Sequence, residues 1–134
     1  IMKFLKYILL LAIMINAQTI TFNDKDYEVI KSPVTGKHWL DRNLGASQAC
    51  QSLEDAACFG DYYQWGRLAD GHEKIGSLEI STIANDISNA GSSFITGSDW
   101  VNSDNNGNLR QTQWSKIDGT SVCPINYRVP QMLN

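Results

Sequence analysis

The chain has 134 residues, a formal net charge of -3 and hydrophobic side chains at 43% of its positions. That length holds one ordinary core, since single domains span roughly 100 to 200 residues. The charge is too small to imply a polyanionic or polycationic partner, and Lys and Arg form no basic stripe along the sequence, which excludes nucleic-acid binding.

Met2-Lys3-Phe4-Leu5-Lys6 is a short basic segment, and Tyr7 to Ile15 is an apolar run. A spanning helix needs about 20 apolar residues, so this run reads as a signal peptide over residues 1–17 with Ala17 at the cleavage point. The membrane then enters only through export, and residues 18–134 make one domain, secreted or otherwise extracytoplasmic. Thiols exported from the cytoplasm meet an oxidising compartment. Of the three cysteines, Cys50 and Cys58 are the expected disulfide. Closing so short a loop removes unfolded-state entropy equivalent to about 2.6 kcal/mol. Cys123 is left without a partner.

Thr19 to Phe22 and Tyr27 to Ile30 are short alternating runs around Asn23-Asp24-Lys25-Asp26, a pattern that predicts a β-hairpin or two successive strands. Ser32-Pro33-Val34-Thr35-Gly36 is a turn. Lys37 to Leu40 resumes strand character, with His38 and Leu40 on one face and Trp39 on the other. Asp41, Arg42 and Asn43 follow, residues whose side chains fix backbone. Ser52 to Ala57 fits one helical turn with Ser52 as N-cap. Asp61 to Leu68 fits a short helix or a strand, with Gly66 against a long helix. From Gly71 to Gly97 the composition is loop-like, with Leu78 to Ala84 a local element and Ser92 to Thr96 a short strand. Asn108 to Ile117 carries too few apolar residues to define an element.

Chemistry-bearing side chains concentrate between Thr35 and Gly71. A nucleophilic site could use Cys58 with His72 and Asp70, but the disulfide would consume that thiolate. Zinc ligation by His38, His72 and the cysteines lacks the usual spacings. Among Asp41, Glu54, Asp55, Asp61 and Asp70 a glycosidase pair needs two carboxylates about 5 to 10 Å apart, a separation that sequence does not give. Asn102, Asp104 and Asn106 with Gly107 and Leu109 imitate a calcium-loop register, although Gln113 stands where a bidentate glutamate belongs. The sequence thus implies no cofactor unless calcium occupies that register. Trp39 and Trp65 read as core anchors, and Tyr62, Tyr63 and Trp100 as ligand-facing aromatics.

The order of motifs carries a resemblance. Val34 to Ala46 (VTGKHWLDRNLGA), Gly60 to Arg67 (GDYYQWGR), Asp70-Gly71-His72, Asp99-Trp100 and Cys123 to Pro130 (CPINYRVP) resemble the Fibrobacter succinogenes major paralogous domain, a family of exported bacterial proteins. The likeness spans roughly Tyr27 to Pro130. Its last segment is similar to the entry into the central helix of C-type-lectin-like and formylglycine-generating-enzyme-like domains. The resemblance thus implies an α+β fold with short strands and long loops, here a partial domain because further elements would follow Pro130. It supplies no catalytic residues. The expected function is a non-catalytic module for a glycan or cell-surface protein. The alternatives are a fragment of a formylglycine-generating or glycan-processing enzyme, or a non-functional truncated paralogue.

Overall fold

The computed structural model describes residues 18–131. The expected signal peptide lies outside the described residues. Strands β1 (Thr19–Phe22), β2 (Lys25–Lys31) and β3 (His38–Leu40) form an antiparallel sheet in that order, with Ile20 opposite Tyr27 and Ile30 opposite Trp39. The hairpin turn is the two residues Asn23 and Asp24, both at positive φ (49° and 58°). Two-residue hairpin loops of that hand match strand twist, and Asn and Asp tolerate the left-handed region. β2 therefore begins at Lys25, earlier than its apolar run predicts.

The polar segment after β3 fastens this sheet to the rest of the chain. The Asp41 N–H donates to the Glu28 carbonyl and the Glu28 N–H donates to the Asp41 carboxylate. Arg42 pairs with Asp41 at 2.6 Å, donates to the Asp26 carbonyl, and lies over the ring of buried Tyr27. The Tyr27 hydroxyl in turn accepts from the Gly45 N–H. Asn43 donates to the carbonyls of Cys58 and Phe59. Asp41, Arg42 and Asn43 thus have the backbone-fixing role expected of them.

Cys50 and Cys58 are joined as a disulfide, their Cα atoms 4.9 Å apart. Cys58 ends a single 3-10 turn, Ala56–Cys58. Its cap is Asp55 and not Ser52: the Asp55 carboxylate accepts from the N–H groups of Ala57 and Gln51 and from the Gln48 amide. A carboxylate offers two acceptor oxygens where a hydroxyl offers one, which favours Asp55 for closing this loop.

Beyond the disulfide the chain is mostly turns. β4 (Glu79–Ile80) and β5 (Phe94–Ile95) pair in parallel, and Ala84 bridges Val101. Ile95, Trp100 and Val101 form the apolar core, with Ile80, Ala84, Ile87 and Ala90 against them. One helix, α1 (Asn108–Ser115), follows. The result is a small mixed helix-and-strand domain, α+β in class. Among the described residues no helix is long and apolar enough to cross a membrane.

Candidate functional site

Two parts of the molecule gather chemistry-bearing side chains, and they differ in kind. The first is a buried polar centre. Arg67, about 1% exposed, donates to the Asp70 carboxylate, the Gln64 side-chain carbonyl, and the carbonyls of Ser93 and Gly91. Gln64 completes a two-way clamp on Ile95, giving its amide N–H to the Ile95 carbonyl and accepting the Ile95 N–H. Arg110 pairs with Asp99 at 2.6 Å and Asp104 at 3.2 Å, and its guanidinium faces both Trp65 and Trp100. Those carboxylates are held below their ordinary pKa values, Asp99 chiefly by its bond from Arg110; for Asp104, the bonds from the Arg110 and Leu109 N–H groups outweigh desolvation.

His72 sits in this centre at 0% exposure. Its Nδ1 lies 2.7 Å from Asp70 and its Nε2 accepts the Gln64 N–H at 3.1 Å. That pattern fixes a neutral imidazole protonated on Nδ1, and burial pushes its pKa down against the pull of Asp70. Asp70, His72 and Glu73 bring three ligand-type atoms within 4.8 Å of one another. All three are already engaged: Glu73 accepts the Gly71 N–H, and the Arg67 guanidinium supplies the cation beside Asp70. With Cys58 in its disulfide and both His72 nitrogens bonded, the Cys58-His72-Asp70 set holds no free nucleophile or base.

The calcium register is spent in the same way. Asp104 is buried, accepts from the N–H groups of Leu109 and Arg110 at the start of α1, and has the Arg110 guanidinium beside it. Asn106 accepts the Asn108 N–H, and Asn102 donates to Asn85. Asp104 and Asn106 thus serve the start of α1, Asn102 is tied to Asn85, and the cation beside the one carboxylate is the Arg110 guanidinium. Trp100 likewise corrects its expected role: it is 3% exposed, packs in the core, and donates from Nε1 to the Trp65 carbonyl.

The second part is an open cleft of about 1550 Å³ between β3, the polar loop after it, and the segment from Trp114 to Gln131. Trp39, Leu40, Phe59, Tyr63 and Trp114 give it apolar and aromatic walls; Asn43, Asn126 and Gln131 add amides, and Lys37, Asp41, Arg42, Asp61 and Arg128 add charge. Trp39, expected in the core, is 45% exposed here, and Trp65 is 46% exposed on the far side of Arg110. For Trp65 the reason is that buried Arg110 packs over its ring; Trp39 is exposed because β3 is an edge strand. Of the three ligand-facing aromatics expected, Tyr63 lines the cleft, Tyr62 is exposed outside it, and Trp100 is buried. Cys123 is also a lining residue; it is buried, and that burial pushes its thiol up to about 11, so it stays protonated and weakly nucleophilic at neutral pH.

Phe59, Trp114 and the Trp39 face were not singled out together by sequence because they come from three distant segments. No local spacing announces such a convergence; only the edge position of β3 brings Trp39 to it. No family model, curated protein or solved structure matches the chain.

Proposed function

We propose that this chain is an exported, non-catalytic binding module that takes a surface or secreted glycan into the cleft beside β3. One observation carries the reading: the molecule's large concavity is walled by aromatic faces and rimmed with amides and charged groups, while the residues suited to catalysis are bonded elsewhere. Sugar rings present a C–H face that stacks on aromatic side chains and hydroxyls that amides satisfy. Ligand sites are concave, mostly apolar, and carry a few converging polar groups. Export is supported by the Cys50–Cys58 disulfide, which persists in oxidising compartments.

The resemblance to the Fibrobacter succinogenes major paralogous domain points the same way, since a lectin-like scaffold displays loops for recognition. Fold alone does not assign function, so the weight rests on the cleft. A protein partner is the second reading, favoured by the position of β3 at the edge of its sheet, where backbone groups are open to an added strand.

The test is retention of the purified secreted protein on a panel of insoluble cell-wall and extracellular polysaccharides. Retention on at least one polymer, lost in Trp39→Ala, is expected. Passage of the folded protein through every polymer would count against the glycan and leave the β3 edge as the place to look.

A further inference from the structure

We propose that the cleft is built for an acidic polysaccharide, a polymer whose sugar rings carry carboxylates. This rests on the glycan reading and names its substrate class. The chain as a whole is acidic, with a net charge of -3, so an arbitrary piece of its surface should be negative. The cleft is the reverse. Cations that are scattered along the sequence meet there: Lys37, Arg42 and Arg128 line it against Asp41 and Asp61. Both carboxylates are already neutralised, Asp41 by Arg42 at 2.6 Å and Asp61 by Lys74 at 2.7 Å. Among the described ion pairs neither Lys37 nor Arg128 takes part, and the Arg128 side chain donates only to the neutral Gln131 amide. Two positive charges therefore stand in an aromatic-walled groove with no anion among the described residues paired to them.

The chemistry of the walls selects a sugar acid over an acidic peptide. Trp39 and Phe59 offer exposed ring faces on which pyranose rings stack, and a guanidinium holds a carboxylate through two parallel hydrogen bonds. At about 1550 Å³ the cleft exceeds the roughly 300 to 1,000 Å³ of a small-molecule pocket, which fits a run of several rings better than a single sugar. Beyond about 8 Å at physiological salt the overall negative charge is screened, so the groups touching the ligand decide the sign of the interaction.

Calorimetric titration of the whole chain with polygalacturonate, with the same polymer after reduction of its carboxyl groups, and with polyglutamate tests this. Polygalacturonate should bind about tenfold more tightly than its reduced counterpart, the size of one charge-assisted hydrogen-bonded contact. The double variant Lys37→Gln/Arg128→Gln should remove the preference, so that the acidic and reduced polymers bind with equal affinity. Both side chains are exposed, so folding should survive. Equal affinity for acidic and reduced polymers overturns the acidic preference while the glycan reading stands. No heat with either sugar polymer overturns the acidic-polysaccharide proposal, and the glycan reading then stands or falls on the polymer panel. Polyglutamate binding as tightly as polygalacturonate overturns the choice of a sugar. A dimer in sedimentation that Trp39→Ala dissociates, with no heat from either polymer, assigns the face to a second copy and overturns the proposal.

Discussion

Arg67 and Arg128 are the same residue used in opposite ways, and the contrast separates the frame of this molecule from its surface of contact. Arg67 is buried and directs its guanidinium to Asp70, Gln64, Ser93 and Gly91, so nothing of it is left for a ligand. Arg128 is exposed on the cleft and meets only an amide. The same division holds for the tryptophans: Trp100 is buried with both interior arginines near its ring, while Trp39 shows nearly half its surface. A saturated polar group is structure, and an unsaturated one in a concavity is available for recognition.

The hardest break of that comparison is at the buried centre. Arg67→Ala leaves Asp70 without its cation, the Ser93 and Gly91 carbonyls without their donor and a gap where a buried side chain stood, and should cost about 3 to 5 kcal/mol, read as a lower urea midpoint. Trp100→Ala should cost a comparable amount by opening a cavity between Ile95 and Val101. Gly66→Ala comes next. Gly66 has φ +74°, and a Cβ there would lie 2.3 Å from the Arg110 Cβ, so about 2 to 4 kcal/mol of combined backbone strain and overpacking is expected. An unchanged midpoint for Gly66→Ala would show that α1 is not held against this turn. Removing the disulfide with Cys50→Ser/Cys58→Ser should cost about 2.6 kcal/mol and leave the buried centre's contacts in place.

Much of the frame was legible because it is local. The β1–β2 hairpin follows from alternation around Asn23 and Asp24, and the roles of Asp41, Arg42 and Asn43 follow from their side-chain chemistry. The helix α1 was not legible, since its one fully buried residue is Arg110 and no apolar stripe marks its inner face. The same inversion misplaced the tryptophans. Sequence rules put arginines outside and tryptophans inside, whereas here two arginines occupy the interior, Trp65 lies half out over Arg110, and Trp39 lies half out on an edge strand. A guanidinium packs on an aromatic face, but the partners lie far apart in the sequence: Arg67 lies over Trp100 and Arg110 over Trp65, so no local spacing marks them. The cleft had no signal at all in any one segment. Its walls run from Gln18 to Gln131 and exist only after folding.

A smaller effect comes from pH. Burial holds the His72 pKa below its ordinary 6.5, because the charged ring would lose water and would turn an Nε2–H toward the Gln64 N–H. Asp70 and Glu73 pull the other way, and Arg67 adds to the depression. Between the folded value and 6.5 the unfolded chain binds more protons than the folded one, so stability rises with pH in that window and falls as pH drops through it. Glu73, Asp99 and Asp104, held below their ordinary values, add a second loss at more acid pH as they protonate. His72→Gln should flatten the slope just below pH 6.5 and keep the later carboxylate limb. A slope unchanged by that substitution would remove His72 from the account.

The smallest effect on stability should come from the residue with the largest effect on binding. Trp39 pairs across the sheet with Ile30 and turns much of its ring toward the cleft, so Trp39→Ala should lower stability by no more than about 1 kcal/mol. The same substitution removes the broadest aromatic face from the cleft wall and should abolish polysaccharide retention. Trp100→Ala, scored only on protein that remains folded, should leave retention intact. If both tryptophans instead changed stability and retention in proportion, the cleft would be an extension of the core, and the division between saturated frame and open site would fail at the place where it is easiest to measure.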